Sequence, residues 1–329
     1  MFVNPVPTLE WRPTLDQQAV DPLVDALDSW VSAPALSILA NAWGEVRPAA
    51  YSPGELFAWY DEISGRHWDY RHGVERNQSR PAALPSQQAD LAIEVAHSLG
   101  MIDGRAPCYS EYDFALILGG LVRACLVRPR YAANLASHRT VFGDVFAIGS
   151  LRPLAGDEVK YAQALSTRAK NEFDALLDGV TRAFALSASP EVENSPPSAA
   201  NAAWRVARFN GAPSIEVLAA PSAAPERRRA NTRDGLAWWA NRQKSVRGKR
   251  ILVVTSPIYV PYQSAGAIEV LGLQHGAAVE TVGVPPDLAD LGPNTQHFDA
   301  QDYLQEVRST IRGYKSLWDK LHAKGKSDE

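Results

Sequence analysis

The chain has 329 residues, 46% of them hydrophobic and 21% charged, with a formal net charge of −4. That balance fits a globular protein of one large domain or two smaller ones, and it argues against nucleic-acid binding as the main task. Two cysteines, Cys108 and Cys125, give neither a disulfide framework nor metal-ligand spacing, and the seven histidines show no i,i+4 pairing, so no metal is expected.

The first residues, MFVNPVPTLEWRP, lack a basic stretch followed by an apolar one, and no apolar run approaches the roughly 20 residues of a membrane-spanning helix. The expectation is a cytoplasmic, reduced, soluble protein without a membrane partner. Residues 1–107 read as a helical N-terminal region. Asp21-Pro22 opens a helix that spaces Leu23, Leu27, Trp30 and Val31 on one face. A second apolar stretch runs from Pro34 to Trp43 and ends near Gly44. Ser52-Pro53-Gly54-Glu55 is a capping signature, and Gln87–Leu99 forms another amphipathic helix closed by Gly100. Between them, RHWDYRHGVERN (Arg66 to Asn77) is dense in charge and aromatics; the preferred reading is a solvated helix end with local salt bridges. This region is a lid or a partner surface.

From residue 108 the pattern becomes strand followed by helix. Phe114–Leu118 is a buried strand that stops at Gly119-Gly120 and hands over to a helix carrying Arg123, Arg128 and Arg130. A strand ending in glycines before a helix N-terminus is an anion cradle, because backbone N–H groups converge where no side chain intervenes. Val141–Ile148 is a second strand, followed by Gly149, Ser150 and Arg152. The spacing predicts a helix over Ser166–Leu177 with Glu172 early on it. Residues 187–201, SASPEVENSPPSAAN, cannot bury a face and read as a loop. Ile215–Ala219 is a third strand, leading to Asn231-Thr232 and a helix with Trp238 and Trp239. Ile251–Thr255 is the clearest central strand, its β-branched run suiting burial on both faces. Ala278–Val284 is a fifth, and an amphipathic helix over Asp299–Leu321 closes the chain. The predicted fold is α/β, a doubly wound, mostly parallel sheet of about five strands in a Rossmann-like ligand-binding domain (108–329) behind the helical region (1–107).

The residues after the strands form one polar group: Gly119, Gly120, Arg123, Gly149, Ser150, Arg152, Asn231, Thr232, Thr255, Ser256 and Tyr259. In a parallel sheet they share the carboxyl edge, where ligands of such folds bind. Asn231 and Thr255-Ser256 equally suit plain helix caps. No GxSxG, Walker, HExxH or GxGxxG motif is present.

On these residues the C-terminal two thirds resembles the YdcF/SanA/ElyC-like α/β family of bacteria. The resemblance is carried by Leu118-Gly119-Gly120 with Arg130 to Ala133, by Gly149-Ser150 with Glu172, by Asn231-Thr232 with Asp234, by Val254-Thr255-Ser256, and by Leu304-Gln305-Glu306. Tyr259 and Tyr262 stand where that family has a His and an Arg, so a phosphate-hydrolysis mechanism is not carried over. The resemblance implies envelope or polyprenyl-carrier metabolism and S-adenosylmethionine binding. The leading expectation is an enzyme that binds a nucleotide-like or S-adenosylmethionine-like ligand and transfers a group to a small-molecule substrate. Gly119-Gly120 and Thr255-Ser256 hold its charged part, and Arg123, Arg128 or Arg130 neutralises it. Glu172 orients a hydroxyl or amine, and Tyr259 donates a proton. The alternatives are a non-catalytic binding or regulatory protein and a phosphate-ester hydrolase or transferase acting on a phosphorylated sugar or lipid. The long final helix and the tryptophans are compatible with a homodimer, a core role for them being preferred.

Overall fold

A computed structural model of the chain describes residues 6, 9–11, 20–71, 83–196 and 201–325. It divides into two compact units, Met1–Asp103 with Pro257–Gly266 and His297–Glu329, and Gly104–Ser256 with Ala267–Gln296.

The first unit is helical: α1 (Val20–Val31), α2 (Pro34–Asn41), α3 (Pro53–His67), α4 (Ser86–Ser98), α9 (Val260–Ala267) and α10 (Ala300–Gly325). α1 buries Leu23, Leu27, Trp30 and Val31, the face its spacing marks out. Ser52 and Glu55 close the capping box of α3, with Ser52 N donating to Glu55 at 2.8 Å. α10 packs on α3 and α4, and Trp30 meets Phe57 and Tyr314 at ring separations of 6.4 and 4.7 Å. The final helix thus belongs with the N-terminal helices, where a boundary at residue 107 puts it with the sheet. The charged residues of 66–71 bind partners within this unit: His67 and Arg66 meet Glu45, Asp69 meets Arg308, Tyr70 donates to Asp302, and Arg71 pairs with buried Glu306 at 2.7 Å. Residues 72–77 of that stretch lie outside the described residues. Val20–Asn41 is long and apolar enough by length and composition to cross a membrane, which the sequence reading overlooked. Half of it is buried within the protein, and Pro34 divides it into two helices.

The second unit is α/β. Among the described residues its strands are β1 (Glu111–Leu118), β2 (Val141–Gly149), β3 (Glu191–Asn194), β4 (Arg205–Phe209), β5 (Ser214–Ala219), β6 (Arg250–Thr255) and β7 (Ala278–Gly283). They form one sheet in the order β3-β4-β5-β2-β1-β6-β7. β5, β2, β1, β6 and β7 run parallel, while β3 and β4 add an antiparallel edge. The five parallel strands are those the sequence marks. β3 corrects the reading of 187–201 as all loop: its four residues, EVEN, are all exposed and carry no burial pattern, and backbone pairing to β4 alone makes them a strand.

Helices cover both faces. α5 (Val122–Ser137) and α7 (Glu172–Ala183) pack over Ala115, Ile117, Val145, Ala147, Leu252 and Val254. α8 (Thr232–Arg242) covers the other face, where Trp239 meets the rings of Phe114 and Phe146. A Cβ at Gly179 would strike the Cys125 carbonyl oxygen, so only glycine lets α7 come this close to α5. α7 starts at Glu172, six residues later than the periodicity predicts, because Asn171 takes the N-cap and accepts from Asp174 N at 2.9 Å. A separate short helix, α6 (Asp157–Ala164), precedes it and was missed.

Candidate functional site

Register places the strand ends at one level. Leu118 pairs with Ile148, Gly149 with Ala219, Ile117 with Val254, and Thr255 with Gly283. Gly119, Gly149, Ala219 and Ser256 therefore form a row of small residues across the carboxyl edge, with Thr255 and Gly283 one residue before it. Successive side chains of a strand alternate between faces, and this separates the predicted group into two. Gly119, Gly149 and Ser256 fall on the α5–α7 side, Thr255 on the α8 side.

On the α5–α7 side the centre is Glu172, the first residue of α7, with 7% of its surface exposed. Its Oε2 accepts a hydrogen bond from Ser150 at 2.7 Å and lies 3.5 Å from Arg152 Nε. Its Oε1 has no hydrogen-bond partner among the described residues. That oxygen sits against the bare Cα of Gly119, within reach of Gly149, where a Cβ would lie 3.3 Å from it. Burial pushes the Glu172 carboxyl above the ordinary range, while Arg152, Ser150, Arg229 and Arg128 pull the other way. A buried carboxyl with one oxygen fixed and one free has the form of a general base or of an anchor for a donor group.

Arg152 joins two carboxylates. Its guanidinium donates to Glu158 at 2.6 and 2.9 Å as well as facing Glu172, and it reaches the Gly120 carbonyl at 3.1 Å. Burial opposes its charge, but these two carboxylates hold it firmly protonated. Glu158, on α6, is 4% exposed and also accepts from Val122 N, in the first turn of α5, at 3.3 Å. The start of the helix after Gly119-Gly120 is thus met by one of the protein's own carboxylates. Nothing in the sequence reading singled out Glu158, because α6 went unrecognised; the helix-compatible run DEVKYAQA after Gly156 was the available signal.

Arg128, 3% exposed, closes the ends of β1 and β6. It donates to Leu118 O at 2.8 Å, to Gly119 O, and to Ser256 Oγ at 3.1 and 3.2 Å. Cys125 lies beside this network fully buried, its thiol pushed up to about 12 by burial, and it is therefore no nucleophile. The structure thus brings together Gly119, Gly120, Arg128, Ser150, Glu172 and Ser256. The other predicted residues take other partners. Arg123 covers the Tyr161 ring at 4.0 Å, and Arg130 donates to the carbonyls of Leu288 and Asp290 at 3.4 and 2.8 Å. Asn231 caps α8 in a reciprocal box with Asp234, next to Thr232 at the helix start. Thr255 is fully buried, its hydroxyl unpartnered. Tyr259 belongs to the helical unit, where its ring meets Phe298 edge-on.

Proteins of Mycobacterium tuberculosis H37Rv ("Uncharacterized protein Rv3785") and Mycobacterium bovis ("Uncharacterized protein Mb3814") are each 31% identical to this chain over 327 residues, covering 91% of it and 90% of their own length. The chain belongs to the Rv3785 family. A family model described as the Rv3785 N-terminal domain matches residues 15–100, within the first segment of the helical unit. The Glu172–Arg152–Glu158 network of this Rv3785-family chain lies beyond that match, in the α/β unit. No solved structure matches the chain.

Proposed function

We propose that this Rv3785-family chain is an enzyme that binds a nucleotide-like or S-adenosylmethionine-like ligand at the carboxyl edge of its parallel sheet and transfers a group to a small molecule. The observation that carries this reading is Glu172 itself, a nine-tenths buried residue whose Oε1 lies against the Gly119 and Gly149 backbones with no hydrogen-bond donor to it among the described residues. S-adenosylmethionine when bound supplies an electrophilic methyl group. Glu172 then orients a hydroxyl or amine of the bound molecule through Oε1, Ser150 and Arg152 keep its other oxygen in place, and Gly119 and Gly149 leave room for that group. The ligand class rests on the YdcF-like motifs of the sequence, and a small-molecule partner agrees with the net charge of −4.

A second reading, a binding or regulatory protein without turnover, is favoured by one observation: Arg128 and Arg152 are both engaged by groups of the protein itself. A thermal-shift screen against S-adenosylmethionine, its homocysteine product, NAD and nucleotide sugars tests both. A ligand at about 100 times its Kd raises stability by about 2.7 kcal/mol. A shift with S-adenosylmethionine, followed by its conversion to the homocysteine product with an acceptor mixture, supports the enzyme. A shift with the ligand recovered unaltered supports the binder, and no shift with any of them refutes both.

A further inference from the structure

We propose that the Glu172–Arg152 centre recognises an α-amino carboxylate, and that Glu158 stands in for the ligand's carboxylate. This rests on the ligand reading above and names the part of the ligand that is recognised. Two carboxylates share the Arg152 guanidinium, and they differ in what surrounds them. Glu172 is built in: it opens α7, is held by Ser150, and is backed by the strand ends. Glu158 is lent by a short arm. It and Ala162 are the buried residues of α6, an eight-residue helix that follows Gly156 at a φ of +58° and carries exposed Val159. Its carboxylate occupies Arg152 and the start of α5, the two donors a ligand carboxylate would take.

The charge pattern selects the ligand. A doubly charged phosphate on Arg152 would face the buried Glu172 carboxylate. A zwitterion matches both: its carboxylate replaces Glu158 on Arg152 and the first turn of α5, and its ammonium donates to Glu172 Oε1. The exchange leaves two carboxylates around Arg152 and adds one ammonium that offsets Glu172, and α6 moves outward with Glu158.

An α-amino carboxylate comes either as a free amino acid or as the methionyl end of S-adenosylmethionine. Calorimetric titration of the full chain with L-methionine, S-adenosylmethionine and 5′-methylthioadenosine, which lacks the amino carboxylate, separates these sources. Methionine alone binding as tightly as S-adenosylmethionine points to a free amino acid, and much tighter S-adenosylmethionine binding points to the conjugate. In either case 5′-methylthioadenosine binds at least about tenfold more weakly, and Glu158→Gln tightens the preferred ligand about tenfold, the order expected for one charge-assisted competitor. Should 5′-methylthioadenosine bind as tightly as S-adenosylmethionine, this inference falls while the proposed function stands. No binding by any of the three overturns both. If Glu158→Gln fails to fold by circular dichroism, the three-ligand comparison on the wild type decides alone.

Discussion

Replacing Gly119 by alanine probes the closest approach in the site. The glycine does not have a positive φ, so its role is space and not backbone conformation. A Cβ there would stand 3.0 Å from Gly149 Cα and 3.1 Å from the Ile148 carbonyl oxygen, and nearer still to Glu172 Oε1. The two backbone atoms belong to β2 and cannot yield without disturbing the sheet, so the carboxylate must move. That motion breaks the 2.7 Å bond from Ser150. Overpacking of this kind costs about 1–3 kcal/mol, and a hydrogen bond to a charged group contributes about 1.5–3 kcal/mol. Gly119→Ala should therefore lower the urea-denaturation stability by about 3 kcal/mol. In a Glu172→Ala background the same change should cost clearly less, a coupling of about 1 kcal/mol or more. A neutral Gly119→Ala, or a double-mutant cycle additive within about 0.5 kcal/mol, would show that the two groups are not packed as described.

Further outcomes follow from the same geometry. Glu172 binds its proton more tightly folded than unfolded, so its contribution to stability falls as pH rises from its ordinary value of 4.5 through the raised one. Measured by urea unfolding from pH 4 to pH 8, Glu172→Gln should gain on the wild type with rising pH; a difference that shrinks or stays flat contradicts the burial argument. Arg128→Met should cost about 2–3 kcal/mol, because it strands the carbonyls that end β1; an unchanged melting curve would mean that the guanidinium is not needed there. Asn231→Ala should cost about 1 kcal/mol through loss of the α8 cap and leave ligand affinity unchanged. A drop in affinity at unchanged stability would instead make Asn231 a ligand-binding residue.

The sheet was legible because its parallel strands are apolar runs that stop at small residues: FALIL before Gly119-Gly120 and ILVV before Thr255-Ser256. Glu172, Ser150 and Arg128 were legible for the same reason, since they follow or pack under those strand ends. Of the antiparallel edge, β3 was not, because it is exposed throughout and has no periodicity to read. Strand order and face were also invisible to one-dimensional spacing. Thr255 and Ser256 are neighbours in the chain, yet alternation sends one toward α8 and the other to Arg128. The final helix carries its packing face openly in sequence, but not whether that face meets the sheet or Trp30 and Phe57. Glu158 was hidden twice, once by an unrecognised eight-residue helix and again because its partner Arg152 is close only after that helix folds back.

The most direct test of the account is calorimetric titration of S-adenosylmethionine into the wild-type chain and into Glu172→Gln. The account predicts saturable binding by the wild type and affinity lowered about tenfold or more in the variant, whose melting curve should show it still folded. Equal affinity in both proteins, or no heat in either, would contradict the assignment of the site to Glu172.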